Sequence, residues 1–458
     1  MPPPRRVGTF HHTPCWHNER VPNELTKRAA PARRPLTDRV RLGAGTVLGD
    51  AAALASRVLG KGSGASIRGQ VLTRVHPGAF GTLVKGRRIA SVTGTNGKTT
   101  TAHLLAAAIR AGLGGDAQRL VTNADGANLH YGIASALAKA PRADIAVLET
   151  DERVVADLIA AGRPEVLVML NFSRDQLDRN HEIKFLARSW REALERAGEA
   201  GPVVVANSDD PLITWAVEKA RRVIWVDTPS KWSADAVLCP ACGGILERVD
   251  PNPDEPQGRW DCPSCPLTEH SPDYQVRDGL IALPDGRVVD PQLKVPGSFN
   301  VSNAACALAA AVEMGVGVED ALRGFRTVEA PAGRFSVATF GDVSARLILS
   351  KNPAGWAESL ALLSTPTVVL AIDAVAADGK DVSWLWDVDF EQLAGKHVVC
   401  TGPRAYDLAV RLEYAEVSHT VVLDLADALR AVTDAPQPVD LISTYTPFQK
   451  LLKMAGLR

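Results

Sequence analysis

Within seven residues, Gly94-Thr95-Asn96-Gly97-Lys98-Thr99-Thr100 brings together two glycines, a lysine and three threonines. The apolar run Arg88-Ile-Ala-Ser-Val-Thr93 before it predicts a short buried strand. The Ala/Leu-rich stretch Thr101–Arg110 after it predicts a helix, with Ala102, Leu104, Leu105, Ala108 and Ile109 as its apolar positions. Strand, Gly-rich turn, Lys-Thr and helix form the arrangement that cradles a polyphosphate. Backbone N–H groups and the helix N-terminus face the anion, Lys98 reaches the outer phosphates, and Thr99 offers a hydroxyl to Mg²⁺. The spacing is GxxGKT, two residues shorter than the general form, and Val92 stands where the first Gly of the longer form would fall. A second constellation is Cys239-Pro-Ala-Cys242 and Cys262-Pro-Ser-Cys265, two CxxC knuckles with 19 residues between them. That spacing fits a four-cysteine zinc ribbon. Four thiolates fill a tetrahedral shell and leave no position for a reactive water, so the expected Zn²⁺ is structural.

The elements that must position these groups read as α/β. The apolar run Asp144–Glu152 ends in carboxylates, and Glu149 at the C-terminal end of a parallel strand would face a ligand crevice. Strands are also predicted at Glu165–Leu170 and Pro202–Val205, and a helix at Ile183–Arg196. From about Pro331 the αβ pattern resumes, with strands at Thr367–Ile372, Lys396–Cys400 and Val439–Ser443 and helices at Asp407–Glu413 and Ala426–Val432.

The chain has 458 residues, 51 basic and 52 acidic, for a net charge of −1. Its 46% hydrophobic and 22% charged content is that of a globular protein with sizeable cores. It excludes a disordered chain and one that binds nucleic acid through bulk positive charge. No run of 18 apolar residues occurs, so no transmembrane helix is expected. Residues 1–38 form a basic tail rich in Pro, Arg and His, expected to be disordered. They lack a signal-peptide core, so export is not expected. His11, His12, Cys15 and His17 in this tail also allow a metal cluster. The stretch Asp38–Leu59 has helical spacing and ends at the glycines of 60–64. Its Arg39, Arg41 and Arg57 are compatible with a position near a membrane surface, and core packing explains the same pattern.

Thr93-Gly-Thr-Asn-Gly-Lys-Thr-Thr100 resembles the Mur ligase family, which joins amino acids to a carboxylate at the expense of ATP. Other segments agree with the resemblance: Asn171-Phe-Ser-Arg-Asp-Gln-Leu-Asp178, Asn207-Ser-Asp-Asp-Pro211 and Val295-Pro-Gly-Ser-Phe-Asn-Val-Ser-Asn303. It implies that Glu149 binds Mg²⁺ and that Asn300 and Asn303 lie near the nucleotide base. Read alone, the two asparagines are equally a helix N-cap and a surface amide. Three departures stand out. Gln176 occupies the family's His position and Phe299 another, and Lys184 comes too early for the lysine that supports a second metal. A second Mg²⁺ is therefore not expected to be held in the usual way.

Lys351-Asn-Pro-Ala-Gly355, Ala377-Asp-Gly-Lys-Asp-Val-Ser-Trp-Leu-Trp-Asp-Val-Asp-Phe390, Thr401-Gly-Pro-Arg-Ala-Tyr-Asp407 and Thr444-Tyr-Thr446 narrow the resemblance to the MurT-type ligases. The implied organisation is a Mur ligase-type P-loop ATPase domain over 39–328, with the ribbon inserted at about 236–272. A smaller, Rossmann-like MurT-type domain follows over 329–458. No UDP-binding domain is expected ahead of the phosphate loop.

The resemblance implies amidation of the D-glutamate α-carboxylate of lipid II, through an acyl phosphate, at the cytoplasmic face of the membrane. Membrane contact is expected only through the lipid-linked substrate. Ammonia would come from glutamine, hydrolysed by a GatD-like glutaminase in a heterodimer. Cys15, Cys306 and Cys400 are poor nucleophile candidates, so the partner must supply the catalytic cysteine. By the same resemblance an Asp of this chain completes the partner's Cys–His pair. Asp381 is the first candidate and Asp378 the second, and Asp378-Gly379 also reads as a β-turn. Trp384 and Trp386 read either as interface anchors or as the core face of a strand. Two other functions fit less well. An amino-acid-adding Mur ligase would need the second-metal residues. A zinc-ribbon nucleic-acid-binding ATPase would need positive charge, whereas Glu247–Trp260 carries two Arg against four acids.

Overall fold

The computed structural model describes Leu25 and residues 35–58, 65–123, 127–173, 183–228, 234–249, 259–329, 335–375 and 378–457. The strand predicted before the phosphate loop forms as β1 (Arg88–Thr93). It lies inside an all-parallel sheet with β2 (Leu120–Thr122), β3 (Ile145–Glu149), β4 (Val166–Met169), β5 (Val203–Asn207) and β6 (Arg222–Val226), in the order 2-3-1-4-5-6. The strands are near-continuous apolar runs because helices cover both faces. Ala90 and Val92 of β1 pack toward helices Lys98–Leu113 and Ser298–Glu313. Ile89 points the other way, toward helices Ala79–Val84 and His130–Lys139. After β3 the chain crosses β1 to build β4, so β1 sits where the strand order reverses. The crevice at its carboxyl end is where such sheets bind ligands.

Leading into this sheet, helix Leu36–Val58 packs along helix Ala65–Val75. Two features correct the expected tail of 1–38. The helix already begins at Leu36, and Leu25 is fully buried in the main core, its carbonyl accepting from Arg119 Nη1 at 2.8 Å. An isolated leucine in a polar run carries no periodicity, so its burial was illegible locally. The His11, His12, Cys15 and His17 reading lies outside the described residues.

Beyond β6, β7 (Glu247–Val249) and β8 (Arg259–Asp261) pair antiparallel and carry the cysteine knuckles. Trp260 anchors this ribbon to the main body. It is fully buried and donates from Nε1 to the Ser208 carbonyl at 3.1 Å. A small antiparallel sheet of β9 (Gln275–Arg277), β10 (Leu280–Ala282) and β11 (Val288–Val289) then leads to helix Ser298–Glu313.

The second large sheet holds β12 (Phe335–Phe340), β13 (Val343–Leu349), β14 (Thr367–Ala371), β15 (His397–Thr401), β16 (Ser418–Val421) and β17 (Val439–Ser443), in the order 12-13-17-14-15-16. Only β12 runs antiparallel, paired with β13. The boundary expected at 328/329 falls just ahead of β12. The strand reading of Trp384 and Trp386 is overturned, because Ser383–Asp387 is a 3-10 helix. Its three-residue turn sends the two rings to different surroundings. Trp384 is buried against Trp356 at 5.8 Å, while Trp386 is exposed against Tyr414 at 5.2 Å.

Candidate active site

The phosphate loop leaves β1 and turns through Gly97, the N-cap of helix Lys98–Leu113, at φ 85°. A Cβ there would stand 2.4 Å from Asn303 Oδ1, so both backbone angle and space require glycine. The loop is clamped by the segment after β4. Asn96 N donates to Asn171 Oδ1 at 2.9 Å, and Thr95 Oγ1 donates to the Ser173 carbonyl at 3.1 Å. Asn96 and Asn352 exchange amide hydrogen bonds at 3.3 Å, which ties the loop to the second sheet's body.

A hydroxyl–carboxylate pair and an ion pair stand at the loop. Thr99 Oγ1 donates to Glu149 Oε2 at 2.8 Å. Lys98 Nζ lies 2.9 Å from Glu152 Oε1 and also contacts the Gly94 and Thr95 carbonyls at 2.5 and 3.2 Å. Glu149 is buried and held from behind. Asn128 Nδ2 donates to its Oε1 at 3.1 Å, and the Asn123 amide bonds both its backbone N–H and its carbonyl, at 2.8 and 2.7 Å. Burial raises the Glu152 carboxyl above its ordinary range, opposed by the Lys98 ammonium. Asn123 and Asn128 are absent from the sequence reading, and Glu152 has no role in it. Glu152 lay inside the quoted carboxylate run; the two asparagines follow β2 and carry no motif.

On the other side of the loop a cavity of about 1490 Å³, mouth included, opens between the two bodies. Asn96, Gly97 and Thr100 reach it, so the turn is not packed shut. Leu170, Phe299, Asn300 and Asn303 line it from the first body, and Ile348 and Gly355 from the second. Asn300 is no N-cap, because Gly297 holds that position. Its Nδ2 donates to the Pro296 carbonyl at 2.5 Å, and its Oδ1 accepts from Asn303 Nδ2 at 3.0 Å. Both asparagines are buried, which rules out the surface-amide alternative.

Near the cavity's ribbon side, acids are held up by burial. Asp210 caps helix Pro211–Val217, accepting from Leu212 and Ile213 N–H, and it also accepts from Phe172 N at 2.7 Å. Burial nevertheless pushes its carboxyl up to about 6. Asp227 goes to about 7, through burial first and the nearby Asp209 second. A folded-state pKa above the unfolded one means stability present below about pH 4 and lost as pH rises through about 7. Asp227→Asn should therefore flatten the fall in melting temperature between pH 5 and 8, by the equivalent of roughly 1–2 kcal/mol. Thermal scans at both pH values would show it; parallel curves for variant and parent would contradict it.

The four ribbon sulfurs lie within 4.8 Å of one another, with Cys239–Cys265 at 3.6 Å and Cys242–Cys262 at 3.5 Å. A tetrahedron with Zn–S near 2.3 Å has edges of about 3.8 Å. A disulfide would bring two sulfurs to about 2 Å. The donor set thus fits Zn²⁺ with all four positions filled. It is the only such cluster of His, Cys, Asp and Glu among the described residues.

Cys306 and Cys400 are buried, and burial pushes both thiols up to about 12. That is the wrong direction for a nucleophilic thiolate. Asp381 is exposed just ahead of the 3-10 helix and accepts from Ser383 N at 2.8 Å, which lowers its carboxyl pKa. Asp378 is 4% exposed and accepts from Thr446 N at 2.7 Å, and its own N–H donates to the Val375 carbonyl at 2.8 Å, a turn that ends at Asp378 and is not the one expected around Asp378-Gly379. Gln176 lies outside the described residues, and Lys184 sits in the first turn of helix Ile183–Ala197.

A parallel sheet with a GxxGKT turn at its reversal point, a Thr–Glu oxygen pair and a cavity roofed by a second α/β body define a Mur-type ligase. The comparisons agree. The profile of the Mur ligase middle domain matches residues 92–235, and that of the MurT ligase C-terminal domain matches 349–448. The chain is 28% identical over 424 residues to the "Lipid II isoglutaminyl synthase (glutamine-hydrolyzing) subunit MurT" of Staphylococcus aureus (strain N315), covering 87% of this chain and 94% of that protein. Its counterpart in Streptococcus pneumoniae (strain ATCC BAA-255 / R6) is 29% identical over 430 residues, covering 87% and 93%. A pseudomurein peptide ligase type C from Methanothermus fervidus shares the fold at a TM-score of 0.61 and 16% identity, covering 82% of this chain and 80% of that one. The chain is an amide-forming Mur-type ligase whose C-terminal part matches the MurT type.

Proposed function

We propose that this chain is the ATP-using subunit of a lipid II isoglutaminyl synthase, turning the α-carboxylate of a stem-peptide D-glutamate into an amide. The observation that carries the reading is a clamped loop with the Thr99–Glu149 and Lys98–Glu152 pairs on one side and, on the other, an open cavity reached by Asn96, Gly97 and Thr100 and lined by Asn300 and Asn303. ATP is taken with its base toward Asn300 and Asn303 and its phosphates over residues 94–100. Thr99 Oγ1 and Glu149 Oε2 are the hard oxygen donors that would hold Mg²⁺, which when bound neutralises charge on the transferring phosphoryl group. Lys98 supplies a further positive charge where the γ-phosphate's negative charge builds, and the clamped loop amides hold it in line. The acceptor carboxylate oxygen bonds to the γ-phosphorus as ADP leaves. Ammonia then attacks the acyl carbon, and phosphate leaves with the carbon–oxygen electron pair.

Ammonia comes from a glutaminase partner, a GatD-like subunit, since neither described cysteine outside the ribbon is set up as a nucleophile. Its docking face is the exposed set of Trp386, Tyr406, Val410 and Tyr414, in which Trp386, shortly after Asp381 in sequence, meets Tyr414 at 5.2 Å. Arg411, buried and paired with Glu391, backs the Trp386 ring from 5.8 Å. Exposed aromatic side chains of this kind are typical interface anchors. Asp381 is the carboxylate offered to the partner's histidine, because it is exposed and ionised where Asp378 is enclosed. Asp381→Asn should lower glutamine hydrolysis by the complex about 10–100-fold and leave ATP binding unchanged. Loss with Asp378→Asn alone would move the role to that residue. The overall reading is tested by mixing the chain with a GatD-like glutaminase, lipid II, glutamine and ATP and following amide formation. ATP turnover that ignores lipid II and responds to DNA would reject it.

A further inference from the structure

Helix Leu36–Val58 has two unlike faces. Its inner face (Leu42, Gly45, Gly49, Ala53, Ser56) is buried on helix Ala65–Val75. At Gly49 a Cβ would stand 2.9 Å from the Arg68 carbonyl, so the contact is set by small residues. Its outer face is bare. Leu36, Val40, Val47 and Leu54 are 73, 63, 69 and 59% exposed. At 100° per residue these four fall within about 40° of one another, a stripe along most of the helix. Exposed aliphatics scattered singly need no explanation, but four in line mark a contact surface.

Charge indicates what the stripe meets. Arg39 and Arg41 are exposed on the same helix. Residues 27–41 carry Lys27, Arg28, Arg33, Arg34, Arg39 and Arg41 against the single acid Asp38. A basic run just ahead of an apolar helix stripe in the sequence suits a surface with negative headgroups over acyl chains. No helix among the described residues is long and apolar enough to cross a membrane, so the contact would be peripheral.

We propose that helix Leu36–Val58 docks on an anionic phospholipid bilayer through the Leu36/Val40/Val47/Leu54 stripe, with Arg39 and Arg41 at the headgroups. This goes beyond the ligase reading, in which the membrane is met only through the acceptor's lipid tail. The helix contact holds the enzyme at the surface before any acceptor is engaged.

The test is sedimentation of the full chain with phosphatidylglycerol/phosphatidylcholine vesicles and with phosphatidylcholine vesicles alone. The parent should partition onto the anionic vesicles, less so at high salt, and little onto the neutral ones. Val40→Asp/Val47→Asp should cut that partition roughly a hundredfold, since each exposed aliphatic contributes more than a tenfold factor when buried. Both sites are solvent-exposed, so nucleotide binding, measured in parallel, stays unchanged. Arg39→Glu/Arg41→Glu should weaken binding to anionic vesicles only. No partition of the parent, or equal partition of parent and double Asp variant, overturns the proposal. So does a parent that forms dimers dispersed by the Asp variant without binding vesicles, which would make the stripe a self-association face. None of these readouts requires the chain to be a ligase, so failure here leaves the catalytic reading intact.

Discussion

Lys98→Ala should abolish amide formation, with the catalytic rate down by at least about 10³-fold, while the complex with a glutaminase still assembles. Removing the ammonium takes away the positive charge that the loop holds for an outer phosphate. It also strands Glu152, whose carboxyl Lys98 Nζ meets at 2.9 Å in a largely buried setting. Breaking a buried pair from one side costs roughly 3 kcal/mol, so some loss of thermal stability accompanies the loss of activity. A companion variant separates the two effects. Lys98→Ala/Glu152→Gln removes the stranded charge and should recover stability without recovering turnover. Amide formation followed by mass spectrometry, beside size-exclusion of the complex, reads both. Retained activity in Lys98→Ala would refute the phosphate-loop assignment.

Cys239→Ser should release about one zinc per chain and lower the melting temperature by ~10 °C or more. A serine hydroxyl is a much poorer Zn²⁺ ligand than a thiolate, and three remaining thiolates leave the knuckles untied. The damage should reach the nucleotide cavity, because Asp235, Ala236 and Arg248 from the ribbon side line it. Arg248 also stands 3.6 Å from Asp209. Nucleotide affinity should therefore fall although no ribbon residue belongs to the phosphate loop. Metal content by elemental analysis, thermal melting and nucleotide titration test the chain of effects. Prolonged chelation of the parent should reproduce it. A stable, fully metallated Cys239→Ser variant would contradict the four-thiolate site.

Both predictions rest on groups that a linear reading can find, and the reason is physical. A phosphate loop and a zinc knuckle work through backbone amides and ligands only a few residues apart, so their geometry is written into spacing. β1 and β17 formed over the residues expected, and β4, β14 and β15 within one residue at each end, while β3 stops at Glu149, short of the quoted run. Apolar runs bounded by Gly, Pro or charge leave little freedom for a buried parallel strand. The short edge strand β16 and the hairpin of β12 and β13 went unread, since their residues alternate or mix polar and apolar side chains and form no continuous apolar run.

What spacing alone made legible here is therefore the make-up of short segments: a Gly-rich Lys-Thr turn after a strand, two CxxC knuckles that can share one metal, and an αβ pattern on both sides of them. Folding decided which distant groups meet and which faces stay bare. Glu152 finds Lys98 across 54 positions, Asn123 holds Glu149 across 26, and Asn352 reaches the phosphate loop across 256. Asp381 is left in solvent while Asp378, three residues away, is enclosed. Leu25 is drawn into the core while Val40 and Val47 are turned outward. Local patterns specify which face of an element is apolar, but burial depends on what packs against that face, and that partner is chosen only when the whole chain closes.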